Sequence, residues 1–281
     1  MIRPGKRNLA GDIFVAMTRA RPSLSTMGWQ RYWDIIVYRT YAEVKAEAQL
    51  SYMGYVWWVL EPLLNTILFY VLMAAIFEQS TFGAIIFTVV GAVIWQWFNA
   101  SMMGAANSVV DAGGMLRQIY LPKFVLPLIA ILSSTWKFLF LFALLLVFVW
   151  ISGHPPSVPY IALPVLLFLE FMVIVAFTLP LAFIMPYFPD ARVTVDAILR
   201  SIMLVSGIFF PVSRIPEAYR FYFHLNPMAD LMEAFRAILI DGQWPRWELM
   251  GYVAGISLVA LLISAWFHGL VDRSMVKAIH R

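Results

Sequence analysis

The sequence has no cysteine among its 281 residues, which excludes disulfides, thiolate metal sites and cysteine nucleophiles. Charge is scarce as well. Asp, Glu, Lys and Arg make up 13% of the chain, about half the share usual in a soluble globular protein. Catalytic patterns are missing too. The four histidines, His154, His224, His268 and His280, are scattered without metal-ligand spacing. No G-x-S-x-G, no paired-carboxylate motif and no G-x-x-x-x-G-K-S/T phosphate loop occurs. An enzyme, and an ATPase in particular, is therefore not expected in this chain, nor is a metal site.

What fills the space is apolar. Hydrophobic residues are 62% of the chain and the mean hydropathy is +0.79, against about 45–50% apolar residues in a soluble domain. Because the apolar residues fall in several separate runs, one polytopic membrane domain is expected. The formal charge of +4 then reads as Lys and Arg holding cytoplasmic segments in place. Residues 1–28 are basic and lack an apolar stretch of signal-peptide length, so they read as a cytoplasmic N-terminal segment with no cleaved signal.

A hydrocarbon core of about 30 Å needs roughly 20 helical residues. Six segments qualify, at approximately 54–77, 83–109, 124–151, 160–186, 194–211 and 248–270. The fifth is the shortest and carries Asp196 and Arg200 in its first turns. With both termini inside, 15 of the 20 basic residues lie on the inner side. The first two outer loops hold none, which orients the chain N-in and C-in. The fold class is thus an all-α polytopic membrane protein with six transmembrane helices.

Two segments are neither loop nor span. In residues 29–49, Trp29, Trp33, Ile36, Val37, Thr40 and Val44 share one stripe at 100° per residue, while Arg31, Asp34 and Lys45 point elsewhere. This reads as an amphipathic helix in the inner interface, with packing on the domain as the alternative. Residues 211–246 are punctuated by Pro211, Pro216, Pro227 and Pro245. Between the last two, Leu231, Ala234, Phe235 and Ile238 share a helical face. Short re-entrant or capping helices before the last span are expected there.

Charges inside spans are costly and face protein or water. Lys137 (STWKFLF) and Glu170 (LFLEFMV) lie in spans joined by a short turn. An antiparallel hairpin would bring them to within about 6 Å along the axis. A buried structural ion pair is the leading reading, and a proton or ion relay the other. Glu61 lies about 10 Å into the first span, behind Trp57 and Trp58. It can snorkel to the interface or border a polar cavity opening to the cytoplasm.

Four stretches, in order, carry a resemblance: LSYMGYVWWVLEPLL (50–64), DAGGMLRQIYLPKFVLPL (111–128), SGIFFPVSRIP (206–216) and LNPMADLMEAFRAILIDGQWP (225–245). With them, residues 29–275 resemble the permease subunit of ATP-binding-cassette exporters of O-antigen, capsular polysaccharide and teichoic acid. The resemblance implies a bacterial cytoplasmic (inner) membrane homodimer, joined to two ATPase subunits that bind ATP and Mg. A lipid-linked glycan would pass between the permeases, and this chain would hold no cofactor. Residues 50–275 are then the permease domain and 276–281 a cytoplasmic tail.

The resemblance also distributes roles. Trp57, Trp58, Glu61 and Arg39 would belong to the cytoplasmic mouth, with Glu61 orienting a cation such as Arg39 or Lys45. Residues 111–123 would contact the ATPase, with Asp111 as a helix N-cap before Met115, Leu116, Ile119 and Tyr120, flanked by Arg117 and Lys123. Residues 211–246 would form the outer gate, with Tyr219, Phe221, Tyr222, Phe223, Asn226, Glu233 and Arg236. Aromatic rings suit sliding contact with apolar sugar faces, so Trp95, Gln96, Trp97, Phe98 and Asn99 are further path candidates; core or lipid packing is the alternative for each ring. An ATP-driven exporter of a small drug or lipid, and an ion-coupled secondary transporter using Lys137, Glu170 and Asp196, remain the rival classes.

Overall fold

The computed structural model describes residues 29–50, a few positions between 56 and 71, 82–111, 124–188 and 191–278. The described residues are helices and connecting turns, with no strand among them. The helices are α1 (Trp29–Leu50), α2 (Phe82–Asp111), α3 (Val125–Ile151), α4 (Leu163–Ile184), α5 (Ala191–Val205), α6 (Glu217–His224), α7 (Pro227–Leu239) and α8 (Trp247–Ala278). Four helical segments are long and apolar enough to cross a membrane: 83–111, 125–151, 158–187 and 247–266. They fall within a few residues of four of the six expected spans. Most of the expected first span, 54–77, lies outside the described residues.

The expected fifth span is interrupted. Helix α5 has 15 residues, about 22 Å at 1.5 Å per residue, short of a hydrocarbon core. It stops because Gly207 turns the chain with φ +75°, a left-handed conformation that glycine adopts without penalty. A Cβ there would lie 2.6 Å from the Phe223 ring, so the turn also lets α6 pack close.

Helix α2 is the centre. It is apolar on nearly every side, as a buried helix is, and it packs against α3, α4, α5 and α7. Small residues bring α3 close, since a Cβ on Gly104 would meet Ala130 Cβ at 3.8 Å. Helix α4 packs in turn on α8, and α1 on α3. The antiparallel hairpin expected of α3 and α4 is therefore corrected: α3 packs mainly on α2, α4 packs on α8 and α2, and the two touch each other little. An aromatic column ties the layers. Trp97 of α2 stacks on Phe138 of α3 with centroids 4.1 Å apart, Phe138 leans on Phe142, and Phe142 meets Phe235 of α7 edge-on.

The short helices sit at the end of the bundle that holds the α3–α4 turn, where His154 Nδ1 lies 2.9 Å from the Ile240 carbonyl oxygen. Helix α7 starts cleanly: the Asn226 side chain accepts from Met228 N–H at 3.1 Å and Pro227 occupies the first turn. Its Leu231, Ala234, Phe235 and Ile238 are all buried. Thirteen residues give about 20 Å, so α7 enters the bundle without crossing it.

Arg236 anchors it there. Its Nε donates to Phe87 O at 3.1 Å, Nη1 to Gly207 O at 2.7 Å and Nη2 to Ile208 O at 2.9 Å. The guanidinium also lies 3.5 Å from the Phe87 ring centroid, a cation–π contact. Gly91 makes the room: a Cβ there would fall 2.2 Å from Arg236 Nη2. Gly91→Ala is expected to push the guanidinium off its carbonyls and cost about 1–3 kcal/mol. Gly104→Ala, with only ordinary contacts, should be near neutral. Thermal unfolding of the two purified variants compares them, and equal midpoints would count against the clamp.

Candidate functional site

A group of charged side chains lies between α1, α2 and α3. Ile36 of α1 packs with Val125 and Ile129 of α3. Further along, Glu43 Oε2 accepts from Ser133 Oγ at 3.1 Å, and Glu47 pairs with Lys137. Each step advances both helices together, so α1 runs parallel to α3 and climbs beside it. Arg39, Glu43 and Glu47 recur every fourth residue and form one stripe, as helix geometry requires.

That stripe walls a polar groove of about 510 Å³. Ser133, Ser134 and Lys137 of α3 form a second wall, and Ala100, Gly104, Ser108 and Asp111 of α2 lie opposite. Small side chains on α2 leave the volume open. A second cavity of about 200 Å³ continues past Lys137 towards Trp58, Gln96 and Trp97. Glu47 and Lys137 border both, so their ion pair stands where the two meet. The Lys137 ammonium is also 5.7 Å from the Trp58 ring centroid. The arrangement can bind an anionic group through Arg39 and Lys137, or be held shut by the Glu47 carboxylate already on Lys137.

The Lys137–Glu170 pair expected from the sequence does not form. Lys137 faces α1, because α2 separates its helix from α4. Glu170 is fully buried, and neither of its carboxylate oxygens has a hydrogen-bond partner among the described residues. Depth along the axis was countable from the sequence; the direction around it was not.

The mouth and path candidates divide. Arg39 and Trp58 border the cavities, Trp57 is exposed, and Glu61 lies outside the described residues. Gln96 lines the smaller cavity and Asn99 is half-buried. Trp95 and Phe98 are corrected as lining residues: both are buried in the core, 5.3 Å apart. Trp97 is buried too, its indole N–H donating to Thr135 Oγ1 at 3.2 Å. Sequence reasoning missed Glu43, Glu47, Ser133 and Ser134; the four-residue spacing of Arg39, Glu43 and Glu47 was the available signal.

At the other end, Tyr219, Phe221 and Tyr222 of α6 are exposed, while Phe223 is buried against Phe210. Asn226 donates to Ser206 Oγ at 2.7 Å, and Arg246 lies 3.7 Å from Glu233. Asn226 and Arg236 thus hold the cap in place. Asp230, not singled out in the sequence, accepts from His224 at 2.5 Å. Burial pushes its carboxyl above the usual carboxylate range, and the hydrogen bond and charge of His224 pull it back. Of the coupling candidates, Asp111 ends α2 at the groove. Met115, Leu116, Arg117, Ile119, Tyr120 and Lys123 lie outside the described residues.

Residues 38–240 match the family model described as ABC-2 type transporter. The O-antigen export system permease protein RfbA of Myxococcus xanthus is 27% identical over 233 residues, spanning 82% of this chain and 90% of the relative. An O-antigen export system permease protein RfbA of Klebsiella pneumoniae is 24% identical, spanning 83% and 90%. The polysialic acid transport protein KpsM of Escherichia coli is 21% identical, spanning 80% and 88%.

A double-mutant cycle checks the new pairing. Lys137→Met and Glu47→Gln should be coupled by about 0.2–1 kcal/mol, the range for partly exposed ion pairs. Lys137→Met and Glu170→Gln should be additive. Thermal stability in nanodiscs reads both cycles, and coupling only in the second would restore the hairpin pair.

Proposed function

The chain belongs to the ABC-2 type transporter family, and from that premise we propose that it is the membrane-spanning subunit of an ATP-driven exporter moving a lipid-linked polysaccharide, of O-antigen or capsule type, across the cytoplasmic membrane. By name the relatives are O-antigen export system permease proteins and a polysialic acid transport protein, and the chain carries no phosphate loop of its own. ATP and Mg are then bound by a separate subunit. The working complex is two copies of this chain with two ATPase subunits, six spans in each permease, and both termini cytoplasmic.

The observation that carries the site is the polar groove beside α2. It begins at Asp111, at the inner end in this orientation, and reaches mid-bundle through Lys137. A pyrophosphate-linked glycan lipid needs cations for its head group and open volume for the first sugars. Arg39 and Lys137 supply the first, and Ala100 and Gly104 the second. Exposed Trp136, Leu139 and Phe140 on α3 offer an apolar flank for the lipid tail. The exposed rings of α6 suit the exit. The ion-coupled reading is less well served, because its charges are dispersed: Lys137 is on Glu47, Asp196 on Arg200 at 2.7 Å, and Glu170 alone.

Orientation is tested by labelling intact cells with an impermeant thiol reagent. Ala218→Cys should react and Ser274→Cys should not; labelling of Ser274→Cys alone would invert the topology.

Passage and coupling are separated by two variants in a strain lacking the native gene, which should itself accumulate glycan inside. Gly104→Trp fills the groove and should abolish surface glycan while the ATPase still co-purifies. Leu116→Asp with Tyr120→Asp should abolish both, since 111–123 is proposed to dock on the ATPase. Normal export through the Gly104→Trp protein would remove the groove from the pathway. Unchanged surface glycan in the deletion strain would remove the function.

A further inference from the structure

The bend between α6 and α7 gathers three side chains that sequence spacing does not connect. His224 is the last residue of α6, Asp230 lies in the first turn of α7, and Glu233 follows one turn on. One ligand atom from each lies within 4.8 Å of the other two. We propose that His224, Asp230 and Glu233 form a binding site for a single divalent transition-metal ion, zinc by its ligand chemistry.

The donors are short of partners in a way an ion would resolve. Asp230 is 1% exposed, and its Oδ2 has no hydrogen-bond partner among the described residues. Glu233 turns Oε1 to Arg246, while its Oε2 is buried and equally unpartnered. Buried acceptors without donors are rare and costly. A cation between the two carboxylates satisfies both at once.

The donor set selects the ion. One imidazole nitrogen with two carboxylates suits zinc, which takes three protein ligands and a water. Calcium takes six to eight oxygens and magnesium an octahedral shell kept largely as water, so neither needs this nitrogen. A cavity of about 300 Å³, bordered by Asp230 and Glu233, leaves room for the fourth ligand. Its lining includes exposed Ser213, Trp244 and Arg246, which gives an entry path. The surrounding cations do not occupy the site. Arg236 spends its donors on the carbonyls of Phe87, Gly207 and Ile208, and Arg246 engages the other oxygen of Glu233. Asp241, also on the cavity, adds negative charge.

The ion would replace the hydrogen bond between His224 Nδ1 and Asp230 Oδ1, with the imidazole proton carried on Nε2. Metal ligands bind in their unprotonated forms, so affinity weakens as pH falls. Bound, it splints α6 to α7 across Asn226 and Pro227 and stiffens the cap.

The test is direct binding, independent of any transported substrate. The tag-free permease–ATPase complex in nanodiscs is titrated with zinc chloride by calorimetry. One zinc per permease chain and a raised thermal midpoint are expected. His224→Gln and Glu233→Gln should each weaken zinc at least about tenfold and lose the thermal shift. His224→Cys, which restores a zinc ligand at that position, should recover it. Magnesium and calcium chloride should do neither. Zinc binding unchanged in His224→Gln, no zinc on the wild-type complex, or calcium bound in its place would each overturn the site. Surface glycan measured in the same strains reports separately on export, so a failed metal site and a failed transport reading give different results.

Discussion

Helix α2 fills the space between α3 and α4, and most other placements in the bundle depend on it. Its glycines and alanines let neighbouring backbones approach, and in a lipid solvent that close approach replaces the hydrophobic drive a soluble core would use. With α2 in the middle, α4 turns its free side to α8 and α3 turns its polar stripe to α1. Phe87, near the start of α2, supplies both a carbonyl oxygen and a ring to Arg236. The same helix thereby seats the cap at one end and floors the groove at the other.

The two embedded charges show how a low-dielectric setting sorts polar groups. Lys137 can extend its flexible stem to Glu47, where both groups keep part of their surface exposed. Such a pair is worth little in stability, yet it fixes α1 beside α3 and marks the boundary between the two cavities. Arg236 lies at the other extreme. Fully enclosed, it is compensated not by a carboxylate but by three backbone oxygens at the interrupted end of α5 and the head of α2. The Gly207 and Ile208 carbonyls lie just past the end of α5, where helical bonding stops, so the guanidinium and the broken helix satisfy each other. Gly207 is what exposes both carbonyls.

The cap is built of two unlike helices. Helix α7 is buried among α2, α4 and α8, while α6 carries an exposed aromatic face and touches the bundle mainly through Phe223. The joint between them is short and holds His224, Asp230 and Glu233.

By itself, the sequence determined the class of the protein. Its apolar content and the lengths of its hydrophobic runs located four spans to within a few residues, because crossing a bilayer imposes a length that can be counted. Proline spacing and the Leu231–Ala234–Phe235–Ile238 face marked a short buried helix before the last span, and the ordered motifs pointed to the transporter family. What it could not determine was direction around each helix axis. Lys137 and Glu170 lie at similar depth, but depth follows from 1.5 Å per residue whereas azimuth depends on which helix intervenes. For the same reason Trp95 and Phe98, candidates for the lining, fold as core, and Glu43 and Glu47, not singled out in the sequence, border the groove. Asp230 and His224 meet only because the chain bends at Asn226 and Pro227. These choices belong to the tertiary structure, since a side chain's neighbours in a helical bundle are set by packing between helices and not by spacing along one.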